Sequence, residues 1–212
     1  AVTVLLLLFL IGYILLRGLP ELSLEMLTSE RSYITDTIGI LPNILSTLYI
    51  IIVSMVIVLP LGVGAAIYLS EYAKAGRLVK LITFAVDTLT GIPSIIFGLP
   101  NSLREGALAL GSGKWHMIRT VVLPNALDGI LTGCILSVGR ITGESAALLF
   151  TAGFGLKLTD FFTSLTSSSA TLSVALYVYA GEEGRFDIAF AIAAVLIVIV
   201  LLLNLAAALT AK

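Results

Sequence analysis

Cysteine and histidine occur once each, as Cys134 and His116, in a chain of 212 residues. A single cysteine excludes an intrachain disulfide, and these two residues leave no Cys/His cluster with metal-ligand spacing. Charge is scarce as well: 12% of residues are charged, 12 basic and 13 acidic, for a net charge of −1. That balance excludes the basic excess of a nucleic-acid footprint. No Gly-x-x-x-x-Gly-Lys-Ser/Thr run occurs, so nucleotide hydrolysis has to come from another chain. No nucleophile stands beside a base, and His116 on a polar loop reads as an interfacial side chain rather than a general base. The chain therefore carries no catalytic residues, metal site or cofactor site of its own. It also lacks internal repeats; only TSLTSSSAT (Thr163 to Thr171) approaches low complexity.

Apolar residues fill the space that charge leaves. They make up 58% of the chain, with a mean hydropathy of +1.11, whereas soluble domains carry about 25% charged residues. This is the composition of an integral, multi-pass membrane protein set in a lipid bilayer. Four apolar segments are predicted spans: Ala1 to Leu16, Pro42 to Leu69, Leu81 to Leu99 and Ile188 to Ala208. The first has no basic region before it and no small-residue cleavage pattern after it, so it reads as a span rather than a signal peptide. It is shorter than the roughly 20 residues a crossing needs, which predicts that the given sequence begins inside the helix.

A fifth segment, Asn125 to Gly153, is ambivalent. Its strong apolar residues contribute roughly −0.3 to −0.6 kcal/mol each to insertion, while Arg140 and Glu144 cost about 2.5 to 3.5 kcal/mol each at mid-membrane, so the sums nearly cancel. Such a helix is stable where its charges face other helices or a water-filled path. At 100° per residue, Gly129, Gly133, Ser137, Arg140, Glu144, Ala147 and Thr151 fall on one stripe about 80° wide, with Leu131, Val138 and Leu149 opposite. Gly129 with Gly133, and Gly139 with Gly143, have the G-x-x-x-G spacing that lets a neighbouring helix approach closely. Two readings of Arg140 and Glu144 stand here: an (i, i+4) ion pair that joins helices, or groups lining a path. A buried pair regains little beyond its desolvation cost, and intramembrane charges are functional candidates by default, which favours the path. Asp87, inside the third apolar segment, divides evenly between lining a path and packing. Asp128 reads as an interfacial residue in the first turn of the fifth span, and Pro60 and Pro93 as kinks.

The positive-inside rule orders the loops. Arg17 to Leu41 and Phe154 to Asp187 each hold two basic and four acidic residues and read as external; Ser70 to Lys80 and Asn101 to Pro124 each hold three basic and one acidic residue and read as cytoplasmic. Only Leu81 to Leu99 lies between the two cytoplasmic loops. Either it is re-entrant, turning at Gly91 and Pro93, or a returning span is missing. The abrupt passage from apolar to polar sequence in GLPNSLREG favours a missing span at the Pro100/Asn101 junction.

Residues 101–124 read as helix, turn and helix: a cap at Asn101 or Ser102, a break at Gly111 to Gly113, and a second amphipathic stretch ending at Pro124. By periodicity alone this is an interfacial connector anchored by Lys114 and Trp115. Within it, EGALALG followed by VVLP places Glu105, Ala107, Gly111, Leu123 and Pro124 at offsets 0, 2, 6, 18 and 19. This resembles the EAA loop of ATP-binding-cassette importer permeases, with Gly106 where the usual second residue is alanine. LPLGVGAAIYLSEYAK, TGIPSIIFGL, SLREGALALG and GRITGESAALLFTAG extend the resemblance, to the phosphate permeases of the PstA type. The resemblance implies an all-α, MetI-like transmembrane bundle of about six spans, a single permease domain over residues 1–212, with one span missing between Pro100 and Asn101. It implies that Glu105, Gly106, Ala107, Gly111, Leu123 and Pro124 belong to a loop that couples to a cytoplasmic ATPase dimer (PstB type), which would hold ATP and Mg. It further implies a second permease subunit (PstC type), an extracytoplasmic phosphate-binding protein (PstS type), and a place in the prokaryotic inner membrane. By the same analogy Arg140 would attract a passing phosphate, whose oxygens suit its planar fork. Glu144, Ser137 and Thr151 would line the path with it, Glu144 preventing too tight a hold. Sulfate or molybdate permeases share the R-x-x-G-E spacing and remain an alternative substrate class. A membrane scaffold or sensor that docks a cytoplasmic partner, and an ion-coupled transporter, are alternatives of other classes.

Overall fold

The computed structural model describes residues 2–31, 38–73, 76–77, 79–82, 101–144, 146–151, 153, 155, 160–166 and 168–210. Helices make up the regular structure of these residues: α1 (Val2–Gly18), α2 (Leu24–Thr28), α3 (Leu41–Ile67), α4 (Asn101–Ala109), α5 (Lys114–Gly143), α6 (Ala146–Thr151), α7 (Phe161–Thr166), α8 (Leu172–Tyr177) and α9 (Phe186–Thr210). In lipid a helix satisfies its own backbone, which is why apolar runs of this length become helices. Among the described residues four stretches are long and apolar enough to cross a membrane: Val2–Glu21, Leu41–Tyr72, Lys114–Gly143 and Phe186–Ala206. The second is 32 residues long, or about 48 Å at 1.5 Å per residue, so it outruns a hydrocarbon core of about 30 Å. Its ends are therefore outside the core. Of the predicted spans, Leu81 to Leu99 and the Pro100/Asn101 junction lie outside the described residues, apart from Leu81, Ile82 and Asn101, and so do Asp87, Gly91 and Pro93. Pro60 lies inside α3.

The predicted fifth span is shifted at both ends. The expected stop at Pro124 does not occur: a helix begins at Lys114 and runs through the proline to Gly143. A proline within a helix removes a donor and crowds the carbonyl four residues back. Here the preceding turn, Ile118–Val122, is wide, with the Leu123 N–H donating to the Ile118 carbonyl. The Asn125 side-chain amide donates to the Val121 carbonyl at 2.7 Å. Asp128 consequently lies well inside α5 rather than in a first turn. At the other end the helix stops at Gly143, where the Glu144 N–H reaches only three residues back, to the Ile141 carbonyl at 3.4 Å. A separate helix, α6, follows. The single helical phase expected to carry the stripe from Arg140 to Ala147 and Thr151 thus ends at Gly143.

The chain forms two compact units, residues 1–54 with 138–205 and residues 55–137 with 206–212. In the first, Met26, Ile40, Leu172, Ala175, Tyr179, Ile188, Ala191 and Ile192 form a core. Gly18 packs so closely on α9 that a Cβ there would stand 2.2 Å from the Phe190 carbonyl oxygen, the close approach that small residues permit between membrane helices. In the second unit, Met117, Ile118 and Val122 are buried against Ile67, Ala107, Val121 and Leu123.

Candidate functional site

Arg140 lies in the last turn of α5, and Glu144 follows just beyond the helix end; both are exposed. Ser137, one turn before Arg140, is half-buried. Thr151 closes α6, and its hydroxyl donates to the Ala147 carbonyl at 2.7 Å. Arg31–Glu183 and Arg104–Glu71 are ion pairs between described residues; Arg140 and Glu144, both described, are not paired with each other as the structural reading requires. A Cβ at Gly133, Gly139 or Gly143 would meet open space. Among the described residues no helix of this chain seats on those glycines.

The end of α5 beside Arg140 is held by hydroxyls that the sequence reading missed. Thr142 is buried; its hydroxyl donates to the Val138 carbonyl at 2.8 Å, and its own carbonyl accepts from the Ser173 hydroxyl. A helix end leaves carbonyls without intrahelical donors, and Ser173 supplies one from α8. That helix is tied in turn to α3. The Leu172 N–H donates to Thr47 Oγ1 at 2.9 Å, Thr47 Oγ1 donates to the Asn43 carbonyl at 2.7 Å, and Asn43 Nδ2 donates to the Ala170 carbonyl at 2.9 Å. The clue available in the sequence was the run Thr163 to Thr171. Its last residues, Ser169 to Thr171, are buried, and buried hydroxyls require partners. Gly155 stands against this run, where a Cβ would lie 2.0 Å from the Ser168 carbonyl oxygen.

The second cluster is the expected coupling segment. Helix, turn and helix occur as predicted for α4, the break and the start of α5. Gly111 adopts φ 81°, with its N–H on the Leu108 carbonyl at 3.0 Å and the Ser112 N–H on the Ala107 carbonyl at 3.2 Å. These are the two bonds of a Schellman C-cap, and the left-handed residue is the glycine that such a cap favours. Ala107 turns inward onto Met117, Ile118 and Val122, while Glu105 and Gly106 face outward. Leu123 is half-buried and Pro124 exposed. Arg104 Nε lies 2.7 Å from Glu71 Oε1. The loop after the second span and the coupling segment, both read as cytoplasmic, therefore meet. Within the first unit Arg31 forms a two-pronged ion pair with Glu183, at 3.0 and 3.3 Å, and joins the two loops read as external.

Comparison with known proteins shows the family of the chain. Residues 94–212 match the family model described as "Binding-protein-dependent transport system inner membrane component". The "Probable ABC transporter permease protein YqgI" of Bacillus subtilis (strain 168) is 30% identical over 253 residues, covering 93% of this chain and 86% of that protein. The "Phosphate transport system permease protein PstA" of Pasteurella multocida (strain Pm70) is 31% identical over 234 residues, covering 89% of this chain and 82% of that protein. The protein of the same name from Haemophilus influenzae (strain ATCC 51907 / DSM 11121 / KW20 / Rd) is also 31% identical over 234 residues, covering 89% and 81%. No solved structure matches the chain. The aligned lengths exceed what the chain supplies: 93% of 212 residues is about 197, against 253 aligned. The excess is on the order of 50 positions, enough for one span of about 20 residues with its flanks. With the family model reaching across more than half of its length, the chain belongs to the inner membrane components of binding-protein-dependent transport systems.

Proposed function

We propose that this importer permease forms, with a second and similar permease subunit, the translocation path for inorganic phosphate. ATP is hydrolysed by separate subunits; in this reading a cytoplasmic ATPase dimer, holding ATP and Mg, pushes on residues 101–124. An extracytoplasmic binding protein delivers phosphate to the external loops. The substrate assignment is carried by one agreement: relatives named as phosphate transport permeases align with a chain whose apolar helix α5 ends on an exposed arginine. A guanidinium offers planar, paired donors suited to phosphate oxygens. Glu144, close by in sequence, keeps the level from holding an anion too tightly, since a path has to release what it attracts. Ser137 and Thr151 contribute hydroxyls to the same path, and the open glycines of α5 leave room for the partner permease. In this reading the additional aligned positions belong at the Pro100/Asn101 junction, where a returning span would reconcile the loop charges with the contact between Arg104 and Glu71.

The test is uptake by proteoliposomes carrying the assembled complex. Phosphate uptake that requires ATP and the binding protein is expected. Sulfate uptake without phosphate uptake overturns the substrate, and uptake driven by a proton gradient without ATP overturns the coupling.

A further inference from the structure

Helix α4 is fastened to the end of the second span by charge. Arg104 Nε and Glu71 Oε1 lie 2.7 Å apart, with side chains 16% and 7% exposed. Glu71 occupies the wide turn Tyr68–Tyr72 that ends α3, where backbone carbonyls lack partners and the helix dipole is negative. Cations favour such a place, and a second one is present: Lys114 Nζ donates to the Glu71 carbonyl at 3.4 Å and lies 5.6 Å from the centre of the Tyr72 ring. Ala107 and Ile67 share one apolar cluster beneath these charges. As a source of stability alone such a pair is poor, because desolvation offsets most of its attraction. What the pair does show is which residue of α4 meets the end of α3.

We propose that Arg104 and Glu71 are positioning residues that transmit displacement of the coupling segment directly to the second span, alongside the covalent path through α5. This deepens the reading of residues 101–124 as the ATPase-coupled loop and rests on it. The link has to stay closed while the two elements move together.

The experiment uses the complete complex in proteoliposomes, recording inorganic phosphate taken up, ATP hydrolysed, and ATPase retained on the permease. Glu71→Gln and Arg104→Gln are expected to retain the ATPase and its hydrolysis while phosphate delivered per ATP falls about fivefold or more. The exchanged pair, Glu71→Arg with Arg104→Glu, is expected to restore at least about half of the lost ratio. An unchanged ratio in the single variants, or no recovery in the exchanged pair, overturns the proposal. If the charge variants do not assemble, Glu71→Cys with Arg104→Cys in a Cys134→Ala background decides. Joining the two cysteines with a short bismaleimide should leave uptake intact, and loss of uptake on joining overturns the proposal. Failure of the underlying reading looks different: the unaltered permease then neither retains the ATPase nor takes up phosphate.

Discussion

Three side chains illustrate how single residues act on this molecule in different ways. Gly18 is required by space, since a Cβ would fall 2.2 Å from Phe190 O and 2.8 Å from Ala194 Cβ. Gly18→Ala is expected to cost about 1 to 3 kcal/mol by overpacking, read as a lowered thermal midpoint in detergent. Ser173 is required by hydrogen bonding. Ser173→Ala leaves the buried Thr142 carbonyl without its donor and is expected to cost about 1 to 3 kcal/mol, with Ser173→Thr recovering part of the loss by the same measurement. Arg140 is exposed at the end of α5, and in the proposed function it attracts phosphate. Arg140→Ala is expected to leave the ATPase bound and the thermal midpoint unchanged while phosphate uptake falls about tenfold or more, as for loss of a charge-assisted contact worth about 1.4 kcal/mol or above. Unchanged uptake would return Arg140 to a structural role.

Among the elements, α5 departs furthest from what its sequence predicts. Pro124 is a strong local stop signal, yet the wide turn Ile118–Val122 carries the helix across it. Wide turns of this kind recur at functional positions, and this one lies at the end of residues 101–124, just before the rest of α5. Pro124→Ala removes the reason for the turn. The variant is expected to melt higher, because proline costs a helix interior about 3 kcal/mol, and to take up less phosphate, because relaxing the turn rotates α4 and the start of α5 relative to the rest of the helix. A higher midpoint with full uptake would show that the turn serves packing alone. At the other end the wheel that grouped Arg140, Glu144, Ala147 and Thr151 assumed one uninterrupted helix. The residues up to Gly143 obey it; Glu144 and those after it do not, since the backbone leaves the helical register there.

At the scale of the whole molecule, the loops read as cytoplasmic are in contact with each other, and so are the loops read as external. Both pairings agree with the charge asymmetry, which acts on loops within about 15 to 20 residues of a span end. They predict that single cysteines placed at Arg77 and at Ser112, in a Cys134→Ala background, react with a membrane-impermeant thiol reagent from the same face of oriented vesicles. Reaction from opposite faces would remove the need for a returning span.

The positions of the three most apolar described spans follow from composition alone. Insertion is a sum over consecutive residues, and α1, α3 and α9 appear where that sum is large. The turn at Gly111 was legible for a similar reason, because glycine answers a local requirement for positive φ. The partners of the polar residues were not legible. Arg104 meets Glu71, Arg31 meets Glu183, and Asn43 reaches Ala170 across 127 positions of chain. Arg140 and Glu144, which helical spacing alone could have paired, are not joined to each other. Local sequence determined which segments are apolar helices; the tertiary fold decided which polar groups they share, because a buried donor or charge takes whichever partner the folded chain brings within reach.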